Sequence, residues 1–194
     1  YAMAITSVLS SYFIKGNHTM YLAFDRVLTR MGFPSKAARE TAEEGQDHYP
    51  IVLLGYHRGA RAIVEKIEED APDLLEKILV IDFNLEVLKE LESLNVKGVF
   101  GDISSMDTLD HAHVAGADVI LSTIPDMLLK NTSNLSLVKT CRMLAPNALI
   151  VATADSAEQA EELKTSGANE VLLPYSLIGE TIAEMLLDWQ RKGG

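Results

Sequence analysis

The chain has 194 residues, 47% of them hydrophobic and 23% charged, enough to build the core of one ordinary domain and too apolar for global disorder. Its net charge of -11 repels phosphate backbones, which argues against general nucleic-acid binding. A single cysteine, Cys141, excludes a disulfide within the chain and fits a reducing cytosol.

The opening stretch Tyr1–Ile14 is uncharged but shorter than the about 20 apolar residues that span a bilayer. It lacks the basic start of a signal peptide. Two readings stand: the end of a membrane helix that begins upstream, or an amphipathic helix packed on protein. Tyr21, Phe24, Val27, Leu28 and Met31 recur at helical spacing until Gly32 and Pro34. Residues 35–49 are polar and read as a cytosolic linker. Lys15, Arg26, Arg30, Lys36 and Arg39 face only Asp25 over residues 1–39, so the remainder is more acidic than the whole. Positive charge after an apolar segment is the pattern of a cytoplasmic membrane flank.

From residue 50 to 194 the texture is that of one domain. Apolar runs at Ile51–Leu54, Ile78–Ile81, Gly98–Phe100, Val119–Leu121, Leu149–Ala152 and Glu170–Leu173 predict six strands. Helical patterns fall between them at Arg61–Glu69, Leu85–Leu94, Met106–Val114, Met127–Leu144 and Ala157–Ser166. A last helix is expected from about Gly179 to Gln190. Ser156 and Gln159 have the spacing of a capping box. The alternation predicts an α/β, Rossmann-like, doubly wound parallel six-stranded sheet, preceded by an N-terminal helical segment.

The candidate site lies where ligands sit in such sheets, at the carboxyl ends of the strands. The first turn reads Gly55-Tyr56-His57-Arg58-Gly59-Ala60, between a strand and a helix. A dinucleotide fingerprint places glycines for the tight turn, for approach of the pyrophosphate and for helix packing. Here Gly55 keeps the first, His57 replaces the second, and Ala60 substitutes acceptably for the third. Arg58 and the helix terminus offer positive charge to a phosphate. The alternative is a bare turn that needs one glycine and binds nothing. Asp82, followed by Phe83, ends the second strand and suits ribose hydroxyls; the bland reading is a solvated turn acid. Asp102 and Ile103 end the third strand, placed for an adenine amino group and ring, or for a local turn. Ser122 and Thr123 end the fourth, lining the same crevice or bonding nearby backbone.

The run GDISSMDTLDHAHVAGADVILSTIPD resembles the middle of the regulator-of-potassium-conductance domain, also called the TrkA N-terminal domain. VLLGYHRGA, ILVIDFN and ANEVLLPYSLIGETIAEML fall where that family has its first turn, second strand and last strand with helix. The segment before residue 50 is more loosely similar to the end of the last membrane helix and linker of glutathione-regulated potassium/proton antiporters. The resemblance implies a nucleotide-sensing regulatory domain, not an enzyme, at the cytoplasmic face of the inner membrane. It implies an adenine nucleotide as ligand: AMP, ADP, ATP or NAD(H). Gly55, Tyr56, His57, Arg58 and Gly59 would form the phosphate turn, Asp82 and Phe83 the ribose side, Asp102 and Ile103 the base contacts, with Ser122 and Thr123 lining the pocket. His57 favours AMP over a dinucleotide. The implied partners are a second copy, held partly through the last helix, and a membrane-embedded cation/proton antiporter part. Leu177, Ile178, Ile182, Met185, Leu186 and Trp189 form that helix's apolar stripe; the alternative is packing on its own sheet.

No hydrolase elbow or P-loop occurs, no tyrosine has a lysine four residues on, and Cys141 reads as a packing residue. No metal is expected. The competing functions are a small NAD(P)-dependent oxidoreductase, which lacks an acid/base pair here, and a nucleotide-free dimerisation scaffold.

Overall fold

A computed structural model describes residues 48–192; the expectations for residues 1–47 lie outside them. The chain divides into two units, Tyr1–Asp47 and His48–Gly194. In the second, short strands of branched and leucine residues alternate with helices, so each strand is delivered parallel to the last. The order is β1 (Ile51–Leu54), α1 (Arg58–Asp70), β2 (Ile78–Asp82), α2 (Leu85–Ser93), β3 (Lys97–Phe100), α3 (Met106–His111), β4 (Val119–Ser122), α4 (Asn134–Leu144), β5 (Leu149–Thr153), α5 (Ala157–Thr165), β6 (Glu170–Leu172) and α6 (Pro174–Arg191). The six strands form one sheet in the order β3-β2-β1-β4-β5-β6, parallel throughout. This is the predicted doubly wound fold. Among the described residues no helix is long and apolar enough to cross a membrane.

Side chains alternate across each strand, so the sheet has two cores. On one face Ile120, Ile150 and Ala152 meet Leu109 of α3, Leu137, Val138 and Cys141 of α4, and Leu163 of α5. On the other, Leu53, Ile78 and Val80 meet Ala60 and Val64 of α1 and Leu91 of α2. The second face is covered unevenly. Beyond α1 and α2 it leaves Leu149 of β5 and Leu172 of β6 at 43% and 46% exposure. No residue of α6 is buried, and its apolar stripe lies in water, with Trp189 65% exposed. The alternative that this helix packs on its own sheet is thereby overturned.

Three element boundaries differ from expectation. The helix expected over Met127–Leu144 begins only at Asn134, because Asp126 caps backbone there and a 3-10 turn takes up Asp126–Leu128. The helix expected to reach Val114 stops at His111, since His113 adopts a left-handed backbone, φ 53°. The last helix starts five residues early because Pro174 is acceptable in a first turn, where its missing N–H is no loss. The capping box is half realised: Ser156 Oγ accepts from Gln159 N, while Gln159 Oε1 accepts from Asp155 N rather than Ser156 N.

Arg142 near the end of α4 joins two elements. Its Nη1 donates to Pro146 O at 2.8 Å and Ala148 O at 2.9 Å, and its Nη2 to Gly167 O at 2.8 Å and Asn169 Oδ1 at 2.6 Å. Gly167, at φ +118°, lets this contact form, for a Cβ there would fall 2.9 Å from Arg142 Cγ. Bonds from a charged donor contribute about 1.5–3 kcal/mol, and several carbonyls lose their partner together. Arg142→Ala is expected to lower unfolding stability by about 2–3 kcal/mol in urea titration, and Arg142→Lys to recover little, because a single ammonium cannot reproduce the fork. A loss below about 0.5 kcal/mol would contradict this role.

Candidate functional site

The strand order reverses between β1 and β4, and in sheets of this kind ligands bind outside the carboxyl ends of the strands at that point. The turn after β1 is set by Gly55, whose φ of +79° suits glycine. Gly55 N donates to Ile81 O at 2.8 Å, and Tyr56 N donates to Asp82 Oδ2 at 2.7 Å. Asp82 Oδ1 accepts from Asn84 N at 2.8 Å. Asp82 is 8% exposed; its Oδ2 ties the first turn to the end of β2, and its Oδ1 holds the start of the turn into α2. A carboxylate oxygen holds two lone pairs, which leaves acceptor capacity for a hydroxyl.

His57 is the N-cap of α1, in extended backbone, and its side chain makes no cap bond. The first helical bond runs from Arg61 N to His57 O. The amides of Arg58, Gly59 and Ala60 precede it without a side-chain cap, and no acid sits in this first turn. The other crossover helices are closed by their own caps: Asn84 for α2, Ser105 for α3, Ser133 for α4 and Ser156 for α5. The α1 terminus therefore offers a partial positive charge and unclaimed donors to an anion. Arg58 is exposed beside it.

The remaining expected residues separate into two groups. Phe83 is 67% exposed at the end of β2, and Asp102 is exposed at the end of β3 with Oδ1 accepting from Ser104 N at 2.8 Å. Thr123 packs against Gly59: a Cβ on that glycine would lie 2.8 Å from Thr123 Cβ. The Thr123 hydroxyl is buried without a partner. Ile103 is buried below Gly55, 3.9 Å from where its Cβ would stand. The side chains of Tyr56 and Ser122 point into the protein instead. The Tyr56 ring belongs to the core under α1, with the Arg61 guanidinium 5.3 Å from its centroid. Burial first, and then the charge of Glu90, hold its phenol above the ordinary range. Ser122 Oγ donates to Asn134 Oδ1 at 2.6 Å.

Sequence reasoning passed over the residues behind Ser122. Asn134 Nδ2 donates to Ile124 O and to Asp126 Oδ1, each at 2.8 Å, and Gln159 Nε2 donates to Asp126 Oδ2 at 2.7 Å. The available signal was a polar residue, Asn134, one step past the capping Ser133 and 1% exposed. Cys141 is a buried core residue of α4, and burial pushes its thiol up to about 12.

Residues 51–174 match the model of the TrkA-N domain. Probable potassium channel protein 2 of Methanocaldococcus jannaschii is 36% identical over 144 residues, covering 72% of this chain and 39% of that protein. Putative cation/proton antiporter YbaL of Escherichia coli is 23% identical over 177 residues, covering 88% of the chain and 30% of that protein. The crystal structure of the TrkA-N domain of YbaL superposes with a TM-score of 0.62 at 24% identity, covering 73% of this chain and 98% of that one. The GsuK channel bound to NAD gives a TM-score of 0.52 at 24% identity, over 77% of this chain and 28% of that one. The chain thus spans well under half the length of these curated relatives.

The glycines yield a graded expectation. Gly55→Ala meets both a positive φ and Ile124, and Gly59→Ala meets Thr123 Cβ; both are expected to destabilise, by about 1–3 kcal/mol. Gly179→Ala in α6 meets nothing within 4 Å and is expected to stabilise by up to about 1 kcal/mol. Thermal melts of the three variants read the sign directly, and a stabilised Gly59→Ala would show that Thr123 yields freely.

Proposed function

The chain belongs to the TrkA-N domain family, and from that membership and the site's geometry we propose that it is a nucleotide-sensing regulatory domain of a membrane cation transporter. The observation that carries this reading is the α1 terminus, the crossover helix without a side-chain cap, with Arg58 beside it at the sheet's switch point. A phosphate group supplies what the protein leaves out there: acceptors for the amides of Arg58, Gly59 and Ala60 and charge for the helix dipole. Asp82 takes a ribose hydroxyl on its unused lone pairs. Phe83 and Asp102 flank the base, Asp102 accepting from an exocyclic amine. The Thr123 hydroxyl lies buried under Gly59 without a partner, directly behind the α1 terminus.

A neighbouring structure is bound to NAD, which supports an adenine nucleotide as the class. Within that class AMP suits this chain best. His57 occupies the position where a dinucleotide turn has its second glycine, the residue that lets backbone approach a pyrophosphate closely. The domain works by preference rather than by reaction: a nucleotide that fits one arrangement of domains better than another biases the attached channel or antiporter. The relatives support both transporter types. The domain then sits at the cytoplasmic face of the membrane, with its transport part upstream in the chain or in a partner. In this reading it acts without catalysis, as a regulator of the part to which it is attached.

A second copy completes the fold. The apolar stripe of α6 and the half-open side of β5 and β6 are both uncovered, and a reciprocal exchange of α6 between two copies buries both surfaces.

Calorimetric titration with AMP, ADP, ATP, NAD and NADH tests the ligand. AMP is expected to bind most tightly, and Asp102→Ala to weaken it by about 10–100-fold, the worth of a charged hydrogen bond. Absence of binding by all five at millimolar concentration would leave a dimerisation scaffold as the better reading. For the dimer, light scattering at micromolar concentration is expected to give twice the chain mass, and Ile182→Glu to give a monomer that still binds nucleotide. A monomeric parent chain would refute the exchange.

A further inference from the structure

We propose that Asn134 and Asp126, which touch no ligand position, are positioning residues that set the conformation of the first turn. The proposal deepens the nucleotide reading and rests on it for its consequence on affinity. Both glycines of the turn lean on consecutive residues of the loop after β4. A Cβ on Gly55 would fall inside the Ile124 side chain, and one on Gly59 would lie 2.8 Å from Thr123 Cβ and 3.0 Å from its Oγ1. The turn therefore has the shape that this loop allows it.

The loop in turn is held by side chains from two later helices. Asn134, 1% exposed at the start of α4, accepts from Ser122 Oγ at 2.6 Å on one side of Ile124 and Thr123. On the other side its Nδ2 donates to Ile124 O and its side chain and backbone N both donate to Asp126 Oδ1, all at 2.8 Å. Asp126 Oδ2 takes Gln159 Nε2 from α5 at 2.7 Å. One carboxylate thus gathers three donors and fixes the loop between the ends of β4 and α4. Deleting it leaves Asn134 with buried donors that have no partner, a state the loop escapes only by moving. Movement of Ile124 and Thr123 removes the support under Gly55 and Gly59.

Amide exchange in the absence of nucleotide reads this directly. The amides of Gly55, Tyr56 and Arg61 are bonded to Ile81 O, Asp82 Oδ2 and His57 O, so their exchange reports the turn. The amides of Leu88 and Val96, in and after α2, report the fold away from it. Asp126→Ala is expected to speed exchange at the three turn amides by about tenfold or more while leaving Leu88 and Val96 unchanged, and to weaken AMP binding by about tenfold. Gln159→Ala, which keeps the Asp126–Asn134 pair, is expected to do the same to a smaller degree. Equal acceleration at all five amides would mean that the clasp serves general stability only and would overturn the proposal, as would unchanged exchange at the turn in a folded variant. If Asp126→Ala does not fold, Asp126→Asn carries the same comparison. Should the parent chain bind no nucleotide, the functional reading falls, and the exchange pattern alone decides the positioning role.

Discussion

The contact between the first turn and the loop after β4 governs how this site is built. Gly55 and Gly59 lack a side chain where Ile124 and Thr123 press in, so a turn encoded early in the domain is shaped by residues from its middle. The parallel sheet makes this meeting possible, because β1 and β4 are neighbours although two strands and three helices separate them in sequence. On the other flank, Asp82 reaches from β2 to the amide of Tyr56. The turn is therefore gripped from both adjacent strands while the helix terminus it leads into is left open.

That division of polar groups gives the domain its directionality. Four helix starts are closed by Asn84, Ser105, Ser133 and Ser156, which makes them poor places for a ligand. Ser122 spends its hydroxyl on Asn134 and so acts in the scaffold. Thr123, one residue later, keeps its hydroxyl unspent. Alternation along a strand accounts for the difference: neighbouring residues at a strand end face opposite sides of the sheet, one toward α4 and one toward α1.

Much of the architecture was legible in the sequence because each strand is a short apolar run and each helix an amphipathic one. The family was legible too, from the Gly101-Asp102 and Ser122-Thr123-Ile124-Pro125 strand ends. What escaped was decided by contacts between distant residues. The delayed start of α4 depends on Asp126 bonding to Asn134 N, a side-chain cap from outside the helix that periodicity does not register. The role of Gly59 was masked by the fingerprint, which directs attention to the position of Ala60, whereas Thr123 makes its close approach at Gly59. Tyr56 looked available because it lies in a polar-looking turn; its ring is instead one of the core residues beneath α1.

The grip of the β4 loop on the first turn also has a consequence for biosynthesis. Domains emerge from the ribosome amino terminus first, and β1 through α2 can pair while the rest is unmade. At that stage Gly55–Ala60 has its sequence and its tie to Asp82, yet Ile124 and Thr123 have not arrived to fix it. A nascent chain paused after α2 thus has β1 and β2 with a loosely held turn, and the turn takes its final shape only when Thr123, Ile124 and Asn134 have left the tunnel. Completion of the first turn is thus a late event in the life of the chain, even though the residues of that turn are among the first of the domain to be translated.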